Sequence, residues 1–197
     1  MPKRTDRTAR RQEILDAAVR VFARKGFATS RIEDVAAAAG IAKGTVYLYF
    51  DSREALLAAA FEDYAARSAA LLTDLGAGPP LERLARLVRG AAEMLAAHPD
   101  HARVLLDVWA SAPIRTQSAT SPLDMARVYS DVRQAVTGLL REAEAQGVLR
   151  PGVDERHAAV IVGAIEGCLL QWLVDPRLPL TELADTIADV CVAGVRA

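Results

Sequence analysis

Cysteine and histidine are scarce in this 197-residue chain, which has two of the first and three of the second. That excludes a disulfide-stapled scaffold and leaves little from which to build a metal centre. Cys168 and Cys191 each stand inside an apolar helical run and read as two buried free thiols. His98-Pro99-Asp100-His101 brings two histidines and a carboxylate together. Proline intervenes there, Asp100 is a natural helix cap, and no further ligand is evident, so neither metal nor cofactor is expected. Also missing are a phosphate loop, a nucleophile elbow, a zinc-protease motif and a dinucleotide fingerprint. No catalytic residue is therefore assigned and no enzyme is expected. No segment reaches the roughly 20 apolar residues that a bilayer span needs. The basic start, Lys3, Arg4, Arg7, Arg10 and Arg11, leads into a charged amphipathic helix rather than a secretory signal, so a cytoplasmic protein without a membrane segment is expected.

Strand-like alternation is absent as well. Every long segment has helical periodicity, with alanine, leucine, arginine and glutamate filling the spaces. An all-α chain of about nine helices is predicted. The net charge of −1 conceals an asymmetry. Residues 1–53 hold 11 Lys or Arg against 6 Asp or Glu, and the remainder holds 13 against 19. A basic head on an acidic body suits a DNA partner, because neutralising phosphates supplies most non-specific affinity.

Within the head, Ser30 through Phe50 reads as two short helices hinged at Gly40. Ser30 and Glu33 have the spacing of a capping box, and Ile32, Val35, Ala36 and Ala39 line one small apolar face. Gly40 supplies the positive φ that ends the run, and Val46 and Phe50 are the inward positions of the second helix. A helix-turn-helix follows. Ahead of it, Ile14, Leu15, Ala18, Val19 and Phe22 form the stripe of a third head helix.

Ile14-Leu15-Asp16-Ala17-Ala18, Phe22, Lys25-Gly26-Phe27, Thr29-Ser30, and the run Lys43-Gly44-Thr45-Val46-Tyr47-Leu48-Tyr49-Phe50 with Asp51-Ser52-Arg53-Glu54-Ala55-Leu56 together resemble the DNA-binding domain of TetR-family transcriptional regulators. Tyr49 stands where that family often has histidine, and Arg53 where it most often has lysine. The resemblance implies a helix-turn-helix DNA-binding domain over residues 7–67, its helix-turn-helix at about 31–50. It further implies a helical effector-binding and dimerisation domain over 68–197. Lys43, Thr45 and Tyr49 are then expected at base edges. Tyr47 and Arg53 are expected on phosphates, with Gly44 letting the helix approach and Thr29, Ser30 and Arg31 adding phosphate contacts. Lys3, Arg4 and Arg7 read either as a DNA-contacting arm or as a soluble tail.

In the body, Ser52 or Asp51 caps a fourth helix running to about Leu75, where Gly76-Ala77-Gly78-Pro79-Pro80 breaks it. Ser121-Pro122 opens a later helix that Gly147 ends, and Asp154 caps the next. Residues 158–174 are apolar almost all round and must be covered on most sides. One face is therefore assigned to the protein's own domain and the other to a second subunit. Ile161, Ile165, Glu166, Cys168, Leu169 and Trp172, with Ile187, Val190 and Cys191 of the last helix, are the expected interface. Glu166 then bonds across it or faces a pocket. TetR-like proteins usually dimerise through these two helices, and their pockets lie among the middle helices. By that likeness Met94, Trp109, Met125, Tyr129 and Trp172 are candidate lining for a largely apolar effector.

The resulting expectation is a homodimeric, ligand-responsive repressor on a palindromic double-stranded DNA operator. Two readings compete with it: an effector-independent DNA-binding regulator, and a helical small-molecule-binding protein or enzyme whose basic head is incidental.

Overall fold

The structure is a computed structural model, described over residues 4–111 and 125–197. Side chains 4–6, 109–111 and 125 lie outside the description, as do Lys3 and the Ser121-Pro122 start. The described residues form nine helices: α1 Arg4–Lys25, α2 Ile32–Ala39, α3 Lys43–Tyr47, α4 Arg53–Thr73, α5 Pro80–Ala97, α6 Pro99–Ser111, α7 Met125–Ala145, α8 Glu155–Val174 and α9 Leu180–Ala193. They contain no strand, only an isolated bridge between Leu149 and Arg196.

Local chemistry sets most of these boundaries. Gly40 takes φ +66° and ends α2, its N–H donating back to the carbonyls of Ala36 and Ala37. Ser52 Oγ accepts from Ala55 N–H at 3.0 Å at the start of α4, and the Asp154 carboxylate accepts from Arg156 N–H at 3.0 Å at the start of α8. The start of α2 differs from the expected Ser30/Glu33 box. Asp34 carboxylate accepts from Arg31 N–H at 3.0 Å, so the cap lies one residue later. Ser30 cannot serve because it is buried and its hydroxyl donates to Gly26 O at 2.6 Å.

The chain divides into two compact units. The first contains α1, α2, α3, the start of α4 as far as Ala65, and α6 from Asp100; the second contains the rest of α4 with α5, α7, α8 and α9. The expected division at 67/68 assigned α6 wholly to the body. Its Val104 instead joins the head core formed by Ile14, Leu15, Phe22, Val35, Val46 and Leu56, with Leu105 and Val108 packed against it.

In the second unit α5 packs on α7, α8 and α9, and α8 on α7 and α9. By length and composition α8 could cross a membrane, with a mean hydropathy of 1.6, so the expectation that no segment reaches that length is corrected. Ala158, Ile161, Val162 and Ile165 are nevertheless buried among its neighbours.

Candidate nucleic-acid interface

The helix-turn-helix is assembled from the inside. Val46 is fully buried and Phe50 nearly so, which fixes the rotation of α3 and turns its polar side outward. Lys43 and Gly44 are exposed, Thr45 and Tyr49 half-buried, and Tyr47 is 45% exposed. No atom from outside the local chain approaches where a Gly44 Cβ would stand, leaving that surface open. Leu48, which sequence reasoning did not single out, is 71% exposed beside Tyr47. A large apolar side chain so exposed suits a thymine methyl or a sugar face.

Ion pairs organise the cations of this face. Lys43 Nζ lies 2.6 Å from Glu33 Oε1 and 5.8 Å from the centroid of the Tyr47 ring. Lys25 Nζ lies 2.5 Å from Asp34 Oδ1. These ammonium hydrogen bonds hold the Glu33 and Asp34 carboxyls below the usual carboxylate range. Arg7 is helical rather than part of a loose arm, and its guanidinium lies 5.9 Å from the Tyr49 ring centroid. Arg11 lies 4.9 Å from that of Phe50. These contacts place α1 cations beside the aromatics that end the helix-turn-helix.

Three expected contacts are reassigned. Arg53 turns inward: its Nη1 donates to the carbonyls of Phe27, Ala28 and Ser30 at 2.9, 3.1 and 2.9 Å, and its guanidinium lies 4.2 Å from the Phe27 ring centroid. The two hydrogens of Nη1 are shared among the three loop carbonyls while Nη2 reaches Glu54, so Arg53 locks the α1–α2 loop and is not presented to phosphate. Ser30 is 2% exposed, with its hydroxyl committed to Gly26. Thr29 is exposed, but its hydroxyl donates to Lys25 O. Arg31, at the start of α2, is exposed as expected. The same loop carries a contact that sequence reasoning missed: Asp107 Oδ2 of α6 accepts from Phe27 N–H at 2.7 Å.

The body sites are also redistributed. Ile161, Ile165, Ile187 and Cys191 are buried inside their own subunit, so they are not on a free face. Cys168, Leu169 and Trp172 are half-buried. The exposed apolar positions of the last two helices are Val160 at 71%, Leu170, Val174 at 86% and Val190. Both cysteines are free thiols, and only Cys191 is buried.

Glu166 is half-buried and takes a hydrogen bond from Tyr129, with Arg133 nearby, so α7 of its own subunit supplies it with a donor and a cation. Burial pushes its carboxyl above the usual range. Met94 is half-buried, while the side chains of Trp109 and Met125 lie outside the described residues. Arg67 Nη1 donates to His98 Nε2 at 2.8 Å, and Asp100 pairs with Arg103 at 3.0 Å.

Two family models match the chain. One, for bacterial regulatory proteins of the tetR family, covers residues 14–60; the other, for the C-terminal part of BetI-type transcriptional repressors, covers residues 80–195. A fatty acid metabolism regulator protein of Bacillus subtilis is 26% identical over 93% of this chain and 94% of its own length. Among solved structures, the fatty acid degradation regulator FadR of Bacillus halodurans superposes with a TM-score of 0.77, at 26% identity, over 94% of this chain and 95% of that one. FadR of Bacillus subtilis in complex with stearoyl-CoA gives a TM-score of 0.74 at 24% identity, over 93% and 98%, a likeness of fold.

Proposed function

Because this chain belongs to the TetR family of bacterial regulatory proteins and is a DNA-binding transcriptional repressor, we propose that α3 is its recognition helix and that it reads a palindromic operator as a homodimer in the cytoplasm. The observation that carries this is the exposed face of α3. Lys43, Gly44 and Tyr47 are turned to solvent by a fully buried Val46, in the basic third of the chain. Lys43, Thr45 and Tyr49 stand at the base edges, and Tyr47 holds a phosphate with help from Arg31 and Arg7. Arg53 contributes by fixing the loop that opens α2.

The two-fold partner covers Val160, Leu170, Val174 and Val190, the apolar positions the subunit leaves exposed. Gly163 and Gly167 leave open space beside that face, which lets a second helix come close. A dimer of this kind places two recognition helices in successive major grooves and requires half-sites about one helical turn, or a multiple of it, apart.

For the effector we propose a long-chain fatty acyl-CoA, the ligand class held by a FadR of the same fold, with support from the likeness to a fatty acid metabolism regulator aligned over nearly the whole chain. Such a ligand releases the operator only if it binds the DNA-incompetent conformation more tightly. Gel-shift titration against the DNA upstream of its own coding sequence tests the first part. Tight, salt-dependent binding that Tyr47→Ala weakens is expected, and binding indifferent to both would refute it. Adding oleoyl-CoA to the preformed complex tests the second, with dissociation expected; a complex stable to it would refute that effector class.

A further inference from the structure

The Lys43–Glu33 ion pair brings a carboxylate onto the proposed reading face. Lys43 opens α3, and Glu33 is the second residue of α2. Their charged atoms are 2.6 Å apart, and the side chains are 49% and 57% exposed. Lys43 also lies against the Tyr47 ring, so the pair belongs to the same surface as the exposed α3 residues. Any DNA that Lys43 reaches therefore meets a carboxylate one hydrogen bond away.

A carboxylate brought to a polyanion costs affinity for every sequence unless its oxygens find a donor. In the major groove only the amino groups of cytosine and adenine supply one. Paired with an ammonium, Glu33 offers an acceptor and a donor side by side. A G·C pair presents the complement: guanine O6 and N7 accept, and the cytosine N4 amino group donates. Guanine O6 and cytosine N4 are joined by a Watson–Crick hydrogen bond, so they lie about as close as the charged pair that would cover them. An A·T pair also sets its amino group beside acceptors, but adenine N7 and thymine O4 flank that group one on each side, whereas guanine presents O6 and N7 next to one another for a single ammonium.

We propose that Glu33 is a sequence-determining residue of the DNA interface, and that Glu33 and Lys43 together read one G·C base pair in each half-site. Lys43 donates to guanine O6 or N7 while Glu33 accepts from cytosine N4. This rests on the reading of α3 as the recognition helix. The ammonium hydrogen bond that lowers the Glu33 carboxyl keeps it ionised, and so an acceptor, at neutral pH.

Selection of bound duplexes from a randomised pool, using the full-length protein, tests this. Wild type, Glu33→Ala, Glu33→Gln and Lys43→Ala are compared, with melting curves to verify folding. Wild type is expected to require G·C at one position per half-site, with discrimination of about 5- to 150-fold. Glu33→Ala should relax that position alone, bind unrelated DNA more tightly and steepen the dependence of log K on log salt by about 0.9, as the freed Lys43 turns to phosphate. Glu33→Gln, isosteric and able to bond adenine bidentately, should move the preference there toward A. Unchanged base preferences in Glu33→Ala would overturn the inference while leaving the recognition helix assigned. A wild type that enriches no common sequence would overturn both.

Discussion

Asp107 of α6 accepts a hydrogen bond from the backbone N–H of Phe27 at 2.7 Å, joining positions 80 residues apart. Phe27 stands at the exit of α1, its ring edge-on to Phe22 with centroids 5.3 Å apart and covered by the Arg53 guanidinium. The loop that positions α2 is thus held from two sides, by α6 through Asp107 and by α4 through Arg53. Val104, one turn before Asp107, lies in the head core. In its contacts α6 is a head helix, and any displacement of α6 must act on the loop that sets the entry to the helix-turn-helix.

Asp107→Ala should therefore destabilise the head. It leaves a part-buried N–H without its partner, which costs about 1–3 kcal/mol. In a protein of this size that corresponds to a fall in melting temperature of about 2–4 °C per kcal/mol. Asp107→Asn keeps an acceptor oxygen and should retain most of the stability. Scanning calorimetry separates the two, and equal losses in both would show that charge rather than hydrogen bonding is at work. Gly26→Ala belongs to the same test. The glycine has φ +78°, and an added Cβ would meet the Asp107 carboxylate at 3.5 Å, so strain is expected from the backbone alone.

Arg53→Lys distinguishes an internal lock from a phosphate contact. An ammonium can donate to carbonyls but cannot lay a planar face on the Phe27 ring while a second nitrogen reaches Glu54, so stability should fall by about 1–2 kcal/mol. The salt slope of operator binding should stay at the wild-type value. A phosphate contact would behave in the opposite way, with melting unchanged and the slope for Arg53→Ala smaller by about 0.9. Paired calorimetry and salt titration give both quantities.

These two residues show where sequence reasoning stops. The helix limits were legible because their causes are local: Gly40 with its positive φ, the Ser52 and Asp154 caps, and the inward Val46 and Phe50. The role of Arg53 was not, because three loop carbonyls converge on it only after α4 has packed. Ser30 looked like a cap for the same reason, since nothing near it in sequence announces that its hydroxyl turns back to Gly26. The rotation of α8 was hidden differently. Apolar residues surround that helix, so periodicity could not say which of them face the subunit's own core and which face outward.

The rotation observed for α8 makes the dimer testable. Val160→Glu and Val190→Glu place a charge on side chains that are mostly solvated in the single subunit, so folding should be little affected. If the partner covers this face, each substitution removes a buried valine from both subunits and adds a charge, which should raise the dimer dissociation constant by about tenfold or more. Sedimentation at micromolar concentration should show a loss of mass, accompanied by weaker operator binding. Ile165→Glu, at a buried position, should instead lower the melting temperature whatever the oligomeric state. A full-mass Val160→Glu/Val190→Glu double variant would place the interface elsewhere.

Glu166 provides the pH test. Burial raises its carboxyl pKa, outweighing the hydrogen bond from Tyr129 and the attraction of Arg133, which lower it. A folded-state pKa above the unfolded one means that the native state holds this proton more tightly. The resulting stability is fully present below the unfolded carboxylate range and is lost as pH rises through the folded pKa. Above the folded pKa wild type carries an ionised, half-buried carboxylate that Glu166→Gln lacks, while the glutamine oxygen can still accept from Tyr129. Glu166→Gln should be more stable than wild type at pH values above the folded pKa, and the two should converge as the pH falls through it. Urea melts across that interval measure the difference directly. A Glu166→Gln that becomes less stable than wild type as the pH rises would mean that the attraction of Arg133 exceeds the cost of burial, and that the carboxylate is held in α8 as the partner of that arginine.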